Sequence, residues 1–278
     1  MKKLLRSIFL SSLTVAALLG QQALAQTTKA TEAEAKMFAV SAGYERFMGR
    51  WSRLLAPTYI SFAGVKNGDR VLDVGTGTGS LAAAVETGMP ASEIVGVDPS
   101  EGFIAFARKN VASTRAHFEV GDAQALKFKD ATFDNTLALL VMNFIPDPNK
   151  AIAEMRRVTR PQGVVSACVW DYDAGMQMLR FFWDEAVALD PAIEPKDERH
   201  MKLSRQGELG DLWRKAGLVN VKEQPLVINQ AFSSFSRSRR GRVPEARSSC
   251  RFLRIVGNSS KLVCASTCLE IVKMAHSR

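Results

Sequence analysis

The chain has 278 residues, of which 46% are hydrophobic and 23% charged, and its formal net charge is +9 at pH 7. This length and composition are sufficient for one α/β domain with a full hydrophobic core, and nothing in them indicates a second catalytic domain. No apolar run reaches the roughly 18 residues of a membrane span, so no membrane-spanning segment is predicted.

The first 25 residues are predicted to be a secretory signal peptide. Three basic side chains precede the apolar stretch 8–19, and Ala23-Leu24-Ala25 is typical of a cleavage site. We therefore expect an exported protein, periplasmic or secreted. The alternative is a cytoplasmic protein with an N-terminal extension. Residues 26–43 are predicted to be an N-terminal linker.

A glycine-rich turn follows the first predicted strand, Arg70 to Val74. The turn has glycine at alternate positions, Gly75, Gly77 and Gly79. Because glycine has no Cβ, the backbone can adopt positive φ, and a ligand can lie against N–H groups at the start of a helix. The sequence therefore predicts a nucleotide-like ligand here, with the carboxylate of Asp73 beside it.

Two further acids come at the ends of the next two predicted strands. Asp98 follows the strand 93–97, about twenty residues after the glycines, where a carboxylate can bind a ribose diol. Asp122 follows 118–121 and could accept from an exocyclic amine. An anion beside the turn would repel a phosphate-rich dinucleotide but hold a ligand with ammonium and sulfonium groups. The dinucleotide fingerprint G-x-G-x-x-G also fails at its last position, Ser80.

The remaining elements alternate between strand and helix, which predicts a mostly parallel sheet covered on both faces. Helices are predicted to begin at Ser100 and at Asp147-Pro148, each with a capping side chain, and a further helix covers 209–216. The remaining strands are predicted at 116–120, 133–142, 164–170 and 219–228.

From about Tyr44 to about Phe235, this sequence resembles the class I S-adenosylmethionine-dependent methyltransferases, most closely the small-molecule type called methyltransferase type 11. The resemblance implies a doubly wound, Rossmann-like sheet, S-adenosyl-L-methionine as cofactor and a small-molecule acceptor. Neither a metal nor a nucleic acid is expected, and the oligomeric state does not follow. The cofactor-binding residues that it implies are Asp73, Gly75, Thr76, Gly77, Gly79, Asp98, Pro99, Asp122, Ala123 and Leu139.

Methyl transfer needs little from side chains, because a sulfonium is already an activated leaving group. A general base would help with a hydroxyl or carbon acid, and Asp171 and His200 are weak candidates for it. Asp171 could equally cap a loop, and His200 has no orienting partner that the sequence identifies. The segment 171–203 is predicted to be a helical lid, although core packing accounts equally well for its apolar residues.

Residues 236–278 form a basic tail that contains ten Lys or Arg and only two acidic residues. We expect this tail to be disordered or non-native and not to pack with the domain 44–235. The resembled family has a seventh, antiparallel strand, and no segment is a convincing candidate for it. An incomplete or atypical C-terminal strand is therefore predicted. Cys168 is expected to be a buried small hydrophobic residue, with no disulfide framework.

Three classes of function remain open. The first is a small-molecule methyltransferase, and the second is an inactive or merely cofactor-binding relative of these enzymes, which the export signal and the unusual tail favour. The third is an RNA-modifying enzyme, which only the basic tail suggests. It is disfavoured because the predicted fourth strand leads into Met142-Asn143-Phe144-Ile145-Pro146, unlike the Asn-Pro-Pro-Tyr type of the amino-methylases.

Overall fold

The computed structural model describes residues 41–232, 262–269 and 273–275. The predicted signal peptide, most of the linker and the arginine-rich part of the tail lie outside the described residues. Within the described part, no helix combines the length and apolar character that crossing a membrane would require.

Five parallel strands form the centre of the sheet, in the spatial order β3-β2-β1-β4-β5. The chain leaves β1 in one direction to reach β2 and β3, and then returns to β4 and β5 on the other side. This arrangement confirms the predicted α/β, doubly wound, Rossmann-like class. The strands are β1 Arg70–Val74, β2 Glu93–Asp98, β3 Ala116–Val120, β4 Phe133–Leu139 and β5 Thr159–Trp170.

Six α-helices between residues 50 and 215 connect and cover these strands. Two begin at the predicted caps: the Ser100 hydroxyl accepts from the N–H of Phe103, and the Asp147 carboxylate accepts from the N–H groups of Asn149 and Lys150. The helices are α1 Arg50–Ala63, α2 Ser80–Gly88, α3 Glu101–Asn110, α4 Pro148–Val158, α5 Gln177–Leu189 and α6 Glu208–Lys215.

Each face of the sheet carries its own hydrophobic core. Helices α1, α2 and α3 pack on one face, where Leu55, Leu81 and Ile104 are buried. Helices α4 and α6 pack on the other face, where Met155 and Trp213 are almost completely buried. Burial on both faces explains why the last three residues of β4, 137–139, are all apolar.

A tyrosine from α1 bonds to the backbone of β4 just beyond the last β1–β4 pair. The Tyr59 hydroxyl accepts from the N–H of Ala138 at 3.2 Å and donates to its carbonyl at 3.5 Å. The last β1–β4 pair is Asp73 with Leu137, one residue earlier. Tyr59 therefore supplies the partner that the strand no longer provides to Ala138.

The strands after β5 differ from the sequence-based expectation. The single strand predicted at 219–228 is two strands, β6 Val219–Lys222 and β7 Leu226–Phe232. Two tail segments contradict the expectation that the tail does not pack, and they supply the strands for which the sequence offered no convincing candidate: β8 Leu262–Leu269 pairs antiparallel with β5 and β7, and β9 Lys273–Ala275 pairs antiparallel with β5 and β6.

The physical reason is that the tail is not uniformly basic. Leu262–Leu269 contains no charged residue, and an open β5 edge offers unpaired backbone groups to such a segment. The rest of the tail lies outside the described residues. Cys168 of β5 is buried as predicted, but it is disulfide-bonded, contrary to the expectation of a simple buried thiol.

Candidate functional site

The glycine-rich turn between β1 and α2 has the left-handed backbone that its sequence predicts. Gly75, Gly77 and Gly79 have φ of +71°, +53° and +87°, a region that favours glycine. A Cβ on Gly75 would come within 2.4 Å of the Val141 side chain, whereas a Cβ on Gly77 would meet no atom within 4 Å. Gly75 is therefore needed for packing, and the space beside Gly77 is open to a ligand.

Asp73 lies at the end of β1 with only 1% of its surface exposed. One carboxylate oxygen, Oδ2, accepts from the Thr76 hydroxyl at 2.7 Å. The other, Oδ1, has no hydrogen-bond partner among the described residues. Burial raises the pKa of Asp73 to about 7, the Thr76 hydroxyl opposes that rise, and the charge of Asp98 adds to it. A cation placed here would favour the ionised form.

Asp98 lies at the end of the neighbouring strand β2 and is held by two backbone groups. Its Oδ2 accepts from the N–H of Gly77 at 3.0 Å, and its Oδ1 accepts from the N–H of Ser100 at 2.9 Å. Burial raises the pKa of Asp98, and both hydrogen bonds act against that rise. Each oxygen keeps capacity for another donor, so the carboxylate can accept from two adjacent hydroxyls.

A small cavity of about 30 Å³ lies between the glycine turn and the segment before α1. Five of the predicted cofactor residues line it: Asp73, Gly75, Thr76, Gly77 and Leu139. Asp98 is joined to this group through Gly77, and Gly79 has the αL conformation that precedes α2. The other lining residues are Tyr44, Ser52, Thr78, Ser80 and Leu81.

The other three predicted cofactor residues do not line this cavity. Pro99 and Asp122 are exposed, and Ala123 is half-buried. The Asp122 carboxylate accepts from the backbone N–H and side-chain amide of Gln124. A hydrogen bond of 3.1 Å from the N–H of Gly121 to the Asp98 carbonyl joins the ends of β3 and β2. Asp122 therefore lies on the same edge of the sheet as Asp98.

The segment before α1 covers the glycine turn through an acid that the sequence reasoning missed. The Glu45 carboxylate accepts from the Thr78 hydroxyl and forms an ion pair with Arg53. Tyr44, one residue earlier, lines the cavity and packs against the Phe103 ring at 5.2 Å between ring centroids. Glutamate and arginine eight residues apart on a helical stretch were the available signal, but such pairs are common on solvated helices.

Neither weak candidate for a general base lines the cavity. Asp171 is buried, and its Oδ1 accepts from the N–H groups of Asp173 and Ala174, so it caps the turn after β5. His200 is exposed, and its Nε2 lies 2.7 Å from a Glu194 carboxylate oxygen. The structure therefore supplies the orienting partner that the sequence did not identify, but it does so at the surface.

The predicted lid contains α5 and two short 3₁₀ helices. The nearly buried carboxylate of Asp197 binds the guanidinium groups of Arg180 and Arg199. Burial alone would raise the pKa of Asp197, but the hydrogen bonds from Arg180 and Arg199 lower it to about 2. Lys202 then donates to the Pro146 carbonyl at 2.8 Å, which joins the lid to the loop after β4.

A larger cavity of about 610 Å³ lies at the other end of the sheet. Its lining includes Ile152, Arg156, Pro161 and Lys215, and none of the predicted site residues. Because ligands of open α/β sheets bind at the carboxyl ends of the strands, the glycine-turn site is the better candidate despite its size. Among the described residues, no group of three or more His, Cys, Asp or Glu could hold a metal ion.

Comparisons with known proteins agree with this geometry. A family model described as a methyltransferase domain matches residues 72–167. The ubiquinone/menaquinone biosynthesis C-methyltransferase UbiE of Geobacter sulfurreducens is 42% identical over 102 residues, covering 34% of this chain and 40% of that protein. The UbiE of Desulfotalea psychrophila is 31% identical over 191 residues, covering 64% of this chain and 76% of that protein.

Solved structures show the same fold. One chain of the complex between the Haloferax volcanii Trm112 methyltransferase activator and a methyltransferase superimposes with a TM-score of 0.56 at 21% sequence identity, covering 86% of this chain and 98% of that chain. The chain spans less than half of the Geobacter relative and about three quarters of the Desulfotalea relative. The chain belongs to the class I S-adenosylmethionine-dependent methyltransferases, as shown by the match to the family model, by the Desulfotalea relative and by the acids around the glycine turn.

Proposed function

We propose that this protein transfers a methyl group from S-adenosyl-L-methionine to a small-molecule acceptor by in-line displacement. The observation that carries the proposal is the pair of buried acids at the glycine turn. Asp73 keeps one buried carboxylate oxygen without a partner among the described residues, and the space beside Gly77 is open. Both features fit a cationic nucleoside better than a dinucleotide.

The residues of the turn have separate roles in this proposal. Asp73 and the glycine turn would hold the methionine part, Asp98 would accept from the ribose hydroxyls, and Asp122 with Ala123 would meet the adenine. When bound, S-adenosyl-L-methionine supplies a methyl group that its sulfonium has already activated. The protein then has to align the acceptor and exclude water. The segment before α1, which covers the glycine turn, would help to exclude water.

The acceptor is proposed to be a small apolar ring compound of the quinol kind. Support comes from the two UbiE relatives, which are C-methyltransferases of ubiquinone/menaquinone biosynthesis. Export from the cytoplasm remains our proposal from the N-terminal sequence, with a cytoplasmic location as the alternative.

Calorimetry on the full chain tests the proposal. We expect S-adenosylmethionine and its demethylated product, S-adenosylhomocysteine, to bind with micromolar affinity, about 8 kcal/mol, and a nicotinamide dinucleotide not to bind. Incubation with quinol acceptors should then release S-adenosylhomocysteine, measured by mass spectrometry. Binding of the dinucleotide, with no heat from either S-adenosyl ligand, would contradict the proposal.

A second candidate is a relative that binds the cofactor without turnover. The observation that favours it is that neither Asp171 nor His200 lines the cavity. The same experiment distinguishes the two candidates, because this alternative requires binding of both S-adenosyl ligands without product from any acceptor.

A further inference from the structure

A buried amide lies at the carboxyl end of β4 with one atom unsatisfied. Asn143 has 5% of its surface exposed, and its Oδ1 has no hydrogen-bond partner among the described residues. Its amide group also hydrogen-bonds the Tyr172 side chain, and its Nδ2 makes a long contact, 3.8 Å, to the Met201 sulfur of the lid. Because buried polar atoms in folded proteins are normally paired, this oxygen is poised for a donor that arrives from outside the chain.

The backbone between β4 and Asn143 passes close to the glycine turn. Leu140, the residue after β4, has φ of +61°, which is unusual for a residue with a side chain. This left-handed turn brings Val141 over Gly75, where a Cβ would come within 2.4 Å of the Val141 side chain. Asn143 follows two residues later, at the same edge of the sheet as the glycine turn, although it does not line the cavity beside that turn.

Tyr172 provides a second polar group at the end of the adjacent strand β5. Its side chain is buried, and burial, followed by the charges of Glu198 and Tyr44, raises the pKa of Tyr172 to about 12, while the Asn143 amide acts against that rise. The hydroxyl therefore stays neutral. Tyr172 belongs to the apolar cluster against which the lid residues Met176 and Met201 pack.

We propose that Asn143 and Tyr172 form the acceptor subsite, which takes a neutral, apolar ring compound that bears a hydroxyl. The hydroxyl donates to Asn143 Oδ1, the Tyr172 hydroxyl pairs with the same oxygen of the ligand, and the ring displaces the flexible Met201 side chain. A charged acceptor would lose its hydration here without gaining a partner of opposite charge. This inference rests on the proposed function and assigns the residues that would bind its acceptor.

Two probes of the same shape test the subsite. The full chain is saturated with S-adenosylhomocysteine, and 2-naphthol and its methyl ether are titrated by calorimetry. The parent protein should bind naphthol about tenfold more tightly than the ether, the equivalent of one net hydrogen bond of about 1.4 kcal/mol. Asn143→Leu should weaken naphthol binding by about tenfold and leave the ether within about twofold.

Two further variants keep the experiment decisive. Asn149→Leu makes the same change at an exposed position of α4 and should change neither affinity. Tyr172→Phe keeps the ring, so it should fold, and it should also weaken naphthol binding selectively. S-adenosylhomocysteine affinity is measured for each protein and should stay unchanged.

The two possible failures are distinguishable. Equal affinities for naphthol and ether in the parent, or equal losses for both probes in Asn143→Leu, would overturn the subsite even if S-adenosylhomocysteine binds. If that ligand does not bind the parent, the proposed function fails. In that case both probes are titrated without S-adenosylhomocysteine. A naphthol preference that Asn143→Leu abolishes would support the subsite, and the absence of such a preference would overturn it.

Discussion

Replacing the buried Asp73 by asparagine should stabilise the ligand-free protein at pH 8 and weaken cofactor binding. Its burial raises the pKa of Asp73 from 3.8 to about 7. At about 1.4 kcal/mol for each pKa unit, the ionised carboxylate costs the folded protein about 4 kcal/mol at pH 8. Because the folded state binds this proton more tightly than the unfolded state, stability is full below about pH 4 and falls as the pH rises to 7.

Asparagine removes this pH-dependent cost, but it leaves a buried polar group without a hydrogen-bond partner. It keeps an oxygen for the Thr76 hydroxyl, and it places an NH₂ group where Asp73 Oδ1 has no partner among the described residues. An unsatisfied buried donor costs about 1–3 kcal/mol. Asp73→Asn should therefore unfold with a free energy about 1–3 kcal/mol higher than the parent at pH 8, and about 1–3 kcal/mol lower at pH 4.

Urea unfolding of the full chain, followed by circular dichroism at pH 4, 6 and 8, measures this crossover. Glu185→Gln, at an exposed position of α5, is the control and should change the unfolding free energy by no more than about 0.5 kcal/mol at each pH. At pH 8, calorimetry should show that Asp73→Asn loses more affinity for S-adenosylmethionine than for uncharged adenosine. A parent and variant with parallel pH dependence would refute the reasoning, and equal losses for both ligands would show that Asp73 organises the turn without interacting with the charge.

Three other changes have distinct expected results. Asp98→Ala should weaken S-adenosylmethionine binding by at least tenfold, since it removes about 2 kcal/mol of charge-assisted hydrogen bonding, while circular dichroism shows a folded domain; unchanged calorimetric affinity would contradict the ribose assignment. Gly75→Ala should lower the unfolding free energy by about 2–4 kcal/mol, because of its positive φ and its contact with Val141, and a stable Gly75→Ala protein in urea would contradict this. Asp197→Asn should release Arg180 and speed tryptic cleavage within the lid, and an unchanged cleavage pattern would show that the ion pairs do not hold it.

The alternating elements and the three acids could be predicted because their signals are local. An apolar strand followed by an acid or a glycine turn fixes the sequence position of Asp73, Asp98 and Asp122, and parallel topology brings the strand ends to one edge. The caps at Ser100 and Asp147 are likewise contacts between near neighbours in sequence, and both were predicted correctly.

The misses involve contacts between residues far apart in sequence or without a distinctive pattern. The pairing of β8 with β5 depends on which strand edge is open, and overall tail charge says nothing about that. The Glu45–Thr78 contact closes over the turn from a segment 33 residues earlier. The sequence places Asn143 after the fourth strand, at the edge that faces the ligand, but it could not show that burial leaves the amide oxygen without a partner among the described residues.

The bond from Tyr59 to Ala138 has a consequence for how the gene could be trimmed. The family model begins at residue 72, so a fragment cut to that match would lack α1 entirely. In such a fragment the peptide groups of Ala138 would lose the Tyr59 hydroxyl, and Trp170 of β5 would lose the Trp51 ring, whose centroid lies 6.4 Å away. An expression fragment intended to fold should therefore begin before Arg50, because α1 lies upstream of the match and makes these contacts with β4 and β5.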